Sequence, residues 1–261
     1  MSLFLLTIGL CAASHLSGDQ TEHVESMTHF PHPLGQSQIY RNVYKSAVGP
    51  GNHVATISWI RAITVIKHIQ IPEGTMVIRR VTNSNIQYDV PEDATETSLQ
   101  WFRENLANDR TDHLLFAGDY VYEVDDRVWN HSANQLMPDF ARSLAQGGVT
   151  PCLHFPLKLR DKWSERTREE ADSELTARFE AGQGPAPNPG LWYWIVQAVE
   201  PIETPFGQIE NTYQLRYQTL GGYEARWFKQ GVGFVRFENK HGGSYFESSS
   251  ELIAVKPNTT D

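Results

Sequence analysis

The segment Leu191-Trp-Tyr-Trp-Ile-Val-Gln-Ala-Val199 begins the series of strands that decides the fold. Aromatic and β-branched residues favour strands, and this short apolar run follows a stretch rich in proline and glycine. Downstream, alternate positions from Gly207 to Tyr217 are apolar, namely Ile209, Tyr213, Leu215 and Tyr217. Residues 223–228, 232–237 and 245–255 are also strand-like, and Gly231 and Gly233 suit a hairpin turn. The C-terminal half therefore predicts an antiparallel meander.

The chain before this meander is also mostly strand-like. The run from His53 to Ile69 is rich in β-branched and aromatic residues, and Ile57, Trp59, Arg61 and Ile63 share one face of it. Leu99, Phe102 and Leu106 recur at helical spacing, and a second short helix is predicted within residues 134–146. We therefore expect a mainly β (α+β) protein, with a strongly curved antiparallel sheet or half-barrel and one to three helices packed on it.

Domain boundaries follow from changes in composition. Residues 1–14 resemble a signal peptide, because an apolar run is followed by the small residues Ala12, Ala13 and Ser14. No Lys or Arg precedes Arg41, so a short buried strand or helix is the alternative. We expect residues 15–35 to form a polar linker and residues 36–257 to form one curved-sheet domain. A charged helical or loop insertion is expected around residues 164–190 of that domain, and residues 258–261 are expected to form a tail.

Composition excludes several function classes. The 261 residues carry a formal net charge of −9, which disfavours nucleic-acid binding because that needs clustered Lys and Arg. The chain has no apolar run of about 18 residues, so we expect no transmembrane span in the mature protein. We predict export to the periplasm or cell envelope, with lipid attachment through Cys11 as an alternative. If cleavage removes Cys11, only Cys152 remains, so no intramolecular disulfide forms.

Three motifs carry a family resemblance: Phe155-Pro-Leu-Lys-Leu-Arg-Asp-Lys-Trp163, Val199 to Asn211, and Trp227-Phe-Lys-Gln-Gly-Val-Gly-Phe-Val235. Together they resemble a broad group of bacterial exported or lipoprotein-type cell-envelope proteins over roughly the last hundred residues. Arg160 stands where the group often has Gly, and Ile209 where it often has Phe. The resemblance implies a curved antiparallel sheet akin to the half-barrel of lipoprotein carriers. It transfers no functional residues, because the group has no generally established activity.

The main functional hypothesis is a non-enzymatic protein that binds a lipid or other hydrophobic small molecule, or an envelope protein, in the concavity of its sheet. The predicted ligand-binding residues are the aromatic side chains of the C-terminal strands: Trp192, Trp194, Tyr213, Tyr217 and Trp227. A structural component of an envelope assembly is an alternative. We expect no cofactor and no metal.

The second alternative is a hydrolase or lyase. The sequence lacks the familiar catalytic motifs, but His113 and His131 with Asp119 and Asp125 can form a general acid–base site if the fold brings them together. Cys152 lies in an apolar context that favours an inert thiol, although a nucleophilic pair with His154 is conceivable.

Overall fold

The structure, a computed structural model, describes residues 29–30, 32–48, 53–92, 96–164, 181–182, 193–219, 221–241 and 246–257. The described residues contain two α-helices, α1 (Glu96–Leu106) and α2 (Pro138–Ala145), and a 3-10 turn at Asp126–Val128. The strands are β1 Ser37–Val48, β2 His53–Ile71, β3 Gly74–Asp89, β4 Arg110–Ala117, β5 Tyr120–Val124, β6 Trp129–Asn130, β7 Gln135–Leu136, β8 Leu153–His154, β9 Lys162–Ser164, β10 Tyr193–Thr204, β11 Gly207–Gln218, β12 Gly222–Lys229, β13 Gly233–His241 and β14 Phe246–Lys256.

Twelve of the strands form one antiparallel sheet in the order β8-β5-β4-β3-β2-β1-β14-β13-β12-β11-β10-β9. Its centre joins distant parts of the chain, because β1 pairs with β14 from Ser37↔Lys256 to Ser46↔Phe246. Register shifts in β2 at Ser58/Ile60 and Val65/Lys67 are bulges, which bend a long strand and increase its twist. These features curl the sheet on itself.

The expected half-barrel is wrong, because the sheet is a nearly closed barrel. Its edge strands β8 and β9 lie close together: the indole Nε1 of Trp163 donates to the carbonyl oxygen of Pro151 at 2.9 Å. Leu153 and Trp163 belong to the same buried core cluster. Farther along, Arg226 of β12 reaches Glu123 of β5 at 2.8 Å, although these strands are not neighbours in the sheet. Side-chain contacts therefore join the two ends of the sheet.

One end of the barrel is filled by an aromatic core. Phe30 makes edge-on contacts with Phe228 and Phe234, at ring-centroid distances of 5.2 and 5.5 Å, and lies 5.9 Å from Phe116. All four are buried. Phe30 and the buried His32 lie within residues 15–35, the segment predicted to be a polar linker. The described part of this segment packs against the barrel because the ring of Phe30 completes the aromatic core. Residues 1–28, the tail 258–261 and most of the insertion at 164–190 lie outside the described residues.

Helix α1 covers the opposite end, where Leu99 and Leu106 pack with Ile57 and Trp59 of β2. Helix α2 lies elsewhere: Phe140 and Leu144 pack on the cluster of Met76, Leu115, Trp129 and others. Neither described helix is long and apolar enough to cross a membrane.

Gly74, at the start of β3, is a point of close backbone approach. Its φ is +149°, and a Cβ atom there would lie 2.0 Å from the carbonyl oxygen of Phe116. Gly74→Ala is therefore expected to lower the free energy of unfolding by about 3 kcal/mol in urea titrations. Gly118→Ala is the control, because its φ of +57° is also unfavourable but its surroundings are open. We expect only about 1 kcal/mol there; equal losses would show that steric contact at Gly74 is unimportant.

Candidate functional site: an interior cavity and a histidine cluster

The interior cavity lies between the aromatic core and α1, and its volume is about 700 Å³. Helix α1 and eight strands that are neighbours in the sheet line the cavity. In sheet order these strands are β5, β4, β3, β2, β1, β14, β13 and β12. Phe234 and Phe237 lie between the cavity and the aromatic core. Phe102 and Leu106 of α1 line the cavity at its opposite end. The barrel is thus hollow in one half and solid in the other.

Two ion-pair groups cross the cavity wall. Arg79 Nε and Nη2 donate to Asp112 Oδ1 and Oδ2 at 2.7 and 2.9 Å, a bidentate pair between β3 and β4. Arg226 donates to Glu123 at 2.8 Å and to Glu224 at 2.6 Å. Arg79 and Arg226 are nearly buried, with 11 % of each side chain exposed. Planar guanidinium groups suit such bidentate and bridging contacts, so these arginines hold the wall together.

The carboxylates that line the cavity are all paired with arginine. Besides Asp112, Glu123 and Glu224, Asp125 pairs with Arg127 at 2.8 Å and Glu238 pairs with Arg236. In contrast, neither Arg61 nor Arg110 forms an ion pair with any carboxylate of the described residues, although both line the cavity. Within the described part of the chain, the cavity therefore presents two cations that form no direct ion pair, although Arg110 is exposed and the charge of Asp112 acts on Arg61.

Arg61 is the more enclosed of these cations. Its Nε donates to Asn83 Oδ1 at 3.4 Å, and its guanidinium lies 5.6 Å from the ring centre of Trp59. Burial, reinforced by the charge of Arg110, lowers the pKa of Arg61 to about 10. The group stays protonated at neutral pH, so its charge is a permanent feature of the cavity.

Aromatic side chains form the cavity wall next to α1. Tyr44 and Phe102 contact each other with ring centroids 4.4 Å apart, and Trp59 packs in the same apolar cluster. At the other side, Tyr40 donates its hydroxyl to the carbonyl oxygen of Phe234 at 2.8 Å, and burial raises its pKa. The phenol is therefore neutral, and the cavity combines apolar ends with a charged middle.

The predicted ligand-binding aromatics lie away from this cavity. Trp194 and Tyr217 are buried in the core cluster with ring centroids 5.3 Å apart, and Tyr213 packs against that cluster. Trp227 is buried in a different cluster, with Arg236 at 5.1 Å from its ring centre. Trp192 lies outside the described residues. None of the four described residues lines the cavity, so their ligand-binding role stays a prediction.

The histidine cluster consists of His113, Asp126 and His131. Asp126 Oδ1 lies 2.7 Å from His131 Nε2 and 3.8 Å from His113 Nδ1, and the two imidazole rings are 5.5 Å apart. Alternation along β4 puts the His113 side chain on the opposite face from Asp112, so Asp126 and His131 lie on the outer side of the wall, while His113 is also one of the residues that line the cavity. Burial lowers the pKa of His113, while the charge of Asp126 opposes that shift.

The fold brings together only the two histidines of the predicted acid–base set. Asp125 caps the 3-10 turn and pairs with Arg127, a contact that lowers its pKa to about 2. Asp119 is exposed in the turn at the far end of β4 and β5. The carboxylate that joins the histidines is Asp126, which is not among the residues predicted for this site. The hydrolase or lyase alternative stays a prediction.

The Cys152 thiol is buried, and burial raises its pKa to about 12. A thiol that stays protonated at neutral pH is a poor nucleophile. The neighbouring His154 stacks on Tyr120 at a ring-centroid distance of 4.5 Å. These contacts favour the inert thiol over the nucleophilic pair.

No protein-family model matches this sequence, and no curated protein is significantly similar to it. Among solved structures, an inferred exported protein with a YmcC-like fold from Bacteroides fragilis is 15 % identical with a TM-score of 0.38, and the match covers 87 % of this chain and 98 % of that one. An inferred lipoprotein from Parabacteroides distasonis is 13 % identical, with a TM-score of 0.36 and coverage of 87 % and 97 %. A DUF1329 family protein from Desulfovibrio piger is 7 % identical, with a TM-score of 0.27 and coverage of 92 % and 93 %.

Two of these neighbours are thus of the exported or lipoprotein kind that the sequence motifs resemble. The alignments span most of the chain and do not single out its last hundred residues. At these TM-scores the neighbours assign neither a fold nor a function to this chain. A functional assignment therefore depends on the residues of the cavity.

Proposed function

We propose that this protein is a non-enzymatic binding protein of the cell envelope that holds an amphipathic anion in its interior cavity. The observation that carries the proposal is the charge balance of the wall, where Arg61 and Arg110 lack a carboxylate partner among the described residues while each lining carboxylate has an arginine. Export to the envelope is the location that the apolar segment at residues 1–14 predicts.

The size of the cavity supports a ligand of moderate length. Small-molecule sites usually measure about 300–1,000 Å³ and combine apolar walls with a few placed polar groups. The cavity falls inside this range, and its polar groups include Asn42, Asn83 and Ser250 beside the arginines. An acyl chain with a compact head group has suitable dimensions and chemistry.

The charge of the cavity supports an anionic head group. A guanidinium removed from bulk water loses solvation, and a carboxylate or phosphate that forms paired hydrogen bonds with it offsets that loss. Arg61 has donors beyond the single contact to Asn83, so it can make such bonds without breaking an existing ion pair. The structural pair Arg79–Asp112 would stay intact.

The aromatic wall supports an apolar tail. Tyr44, Trp59 and Phe102 lie beside Arg61 at the α1 end, so a chain that extends from an anion on Arg61 meets apolar surface. Burial of a methylene group contributes about 0.8 kcal/mol, so a tail of several carbons adds substantially to the affinity. This combination favours an amphipathic ligand over a purely hydrophobic one.

Calorimetric titration with three single-chain probes tests the proposal. We expect laurate or dodecyl phosphate to bind, and dodecyltrimethylammonium, which has the same tail and the opposite charge, to bind at least tenfold more weakly. The two anions distinguish a carboxylate from a phosphate head group. Native mass spectrometry of the protein from its own cells identifies the natural ligand. Equal binding of the cation, or no binding of either anion together with no co-purified mass, would overturn the proposal.

A further inference from the structure

The outer side of the barrel wall carries a second arrangement of chemistry-bearing residues, which shares only His113 with the lining of the cavity. It is the histidine cluster, in which one buried and two exposed side chains from β4, the 3-10 turn and the β6–β7 turn converge. We propose that His113, Asp126 and His131 bind one divalent transition-metal ion of the Zn²⁺ class. No metal was expected from the sequence, and the cavity function does not require one.

The burial of His113 is the first argument. The residue is only 1 % exposed, and neither of its ring nitrogens has a hydrogen-bond partner within the described part of the chain. An unsatisfied buried polar group costs about 1–3 kcal/mol, and such groups in native proteins call for an explanation. Its Nδ1 lies 3.8 Å from Asp126 Oδ1, beyond hydrogen-bond distance. A metal ion between them would give the imidazole a partner.

The spacing of the ligand atoms is the second argument. The three atoms all lie within 4.8 Å of one another. Bonds of about 2.0–2.1 Å in a tetrahedral site put neighbouring ligand atoms about 3.3 Å apart. The two distances from Asp126 Oδ1, 2.7 Å to His131 Nε2 and 3.8 Å to His113 Nδ1, lie on either side of that value. Small side-chain adjustments therefore suffice.

The local structure presets this arrangement. Asp125 caps the 3-10 turn through its contact with the Arg127 amide, which fixes the backbone of Asp126. Asn130 Oδ1 accepts hydrogen bonds from the Ser132 and Ala133 amides at 3.1 Å each, which fixes the turn that carries His131. Both turns are set before any metal binds, so little ordering is needed.

The donor set points to the class of metal. Two imidazoles and one carboxylate suit Zn²⁺ and its neighbours, whereas Ca²⁺ and Mg²⁺ prefer oxygen ligands. Three protein ligands also leave a fourth position open, and the side chains of Asp126 and His131 are more than half exposed. The site would accept water or a further ligand there.

The test compares Zn²⁺ binding by the full chain and by variants of the two exposed ligands, His131→Ala and Asp126→Asn, whose loss leaves the barrel core intact. The controls are His53→Ala and Asp139→Asn, an exposed histidine and an exposed aspartate elsewhere. We expect one equivalent of Zn²⁺ to be bound by the wild type and both controls. Each ligand variant should weaken that site by more than the roughly 10- to 100-fold that loss of an outer-shell partner costs.

Binding of Co²⁺ gives a second readout, because its visible absorption reports coordination by nitrogen and the number of ligands. We expect an intense four- or five-coordinate spectrum in the wild type that is absent from both ligand variants. The N-terminal histidines, such as His15 and His23, remain in every variant, so any binding by them appears as a constant background. Unchanged Zn²⁺ affinity and Co²⁺ spectrum in His131→Ala would overturn the proposal.

Discussion

Replacement of Arg61 by methionine is expected to weaken binding of the anionic probe by about 30-fold or more. The methionine keeps much of the apolar volume beside Trp59 but removes the cation, and loss of one partner of an enclosed charge pair costs about 2–5 kcal/mol. The measurement is calorimetric titration of laurate and dodecyl phosphate into the variant. Binding of the cationic probe should not fall, because no attractive contact to it is lost.

The matched control is Arg41→Met. Arg41 lies on the neighbouring strand β1, but it is exposed, pairs with Glu251 at 2.8 Å and does not line the cavity. We expect its affinity for the same probes to change less than twofold. If Arg61→Met and Arg41→Met bind the anions equally well, the head group does not sit on Arg61 and the proposed charge recognition is wrong.

Asp112→Ala is expected to destabilise the folded protein by about 3 kcal/mol. It leaves Arg79, with 11 % of its side chain exposed, without its bidentate partner, and an uncompensated enclosed charge usually costs about 3–5 kcal/mol. We take the lower end of that range because a third of the Asp112 side chain is exposed. Urea titration monitored by tryptophan fluorescence measures the change in the free energy of unfolding.

The control for this prediction is Asp139→Ala, which removes the partner of Arg142 on the surface of α2. Both of those side chains are exposed, so we expect a change below about 0.5 kcal/mol. The double variant Arg79→Met/Asp112→Leu should recover much of the stability lost in Asp112→Ala, since it removes both charges. Failure of that rescue would mean that the stability depends on more than the ion pair.

The strands were largely predictable from the sequence, because alternation and aromatic content report local geometry. The face that Ile57, Trp59, Arg61 and Ile63 share in the sequence is a clear example: Trp59, Arg61 and Ile63 line the cavity. A single charged residue, Arg61, on an otherwise apolar face was the available signal for the proposed ligand site. This signal was missed because the aromatic residues of the C-terminal strands favoured a ligand-binding surface there.

Closure of the barrel was not predictable in the same way. Alternation shows which residues share a face, but it does not show which strand a distant strand pairs with. Trp194 and Tyr217 were expected to be open to a ligand, whereas Leu153 from the opposite edge of the sheet packs into the same core. Asp126 was missed for a related reason: the 3-10 turn after β5 directs it, not Asp125, toward the histidines, and no spacing rule encodes that turn.

The pairing of β1 with β14 has a consequence for biogenesis. The middle of the sheet consists of the first and the last described strands, so its two halves cannot join until residues 246–256 are available. The sheet therefore stays incomplete while residues 246–256 are still inside a ribosome or a translocation channel. Contacts between such remote segments also slow folding. For the export that residues 1–14 predict, such a delay would be useful, because a chain must stay unfolded while it passes through a membrane pore.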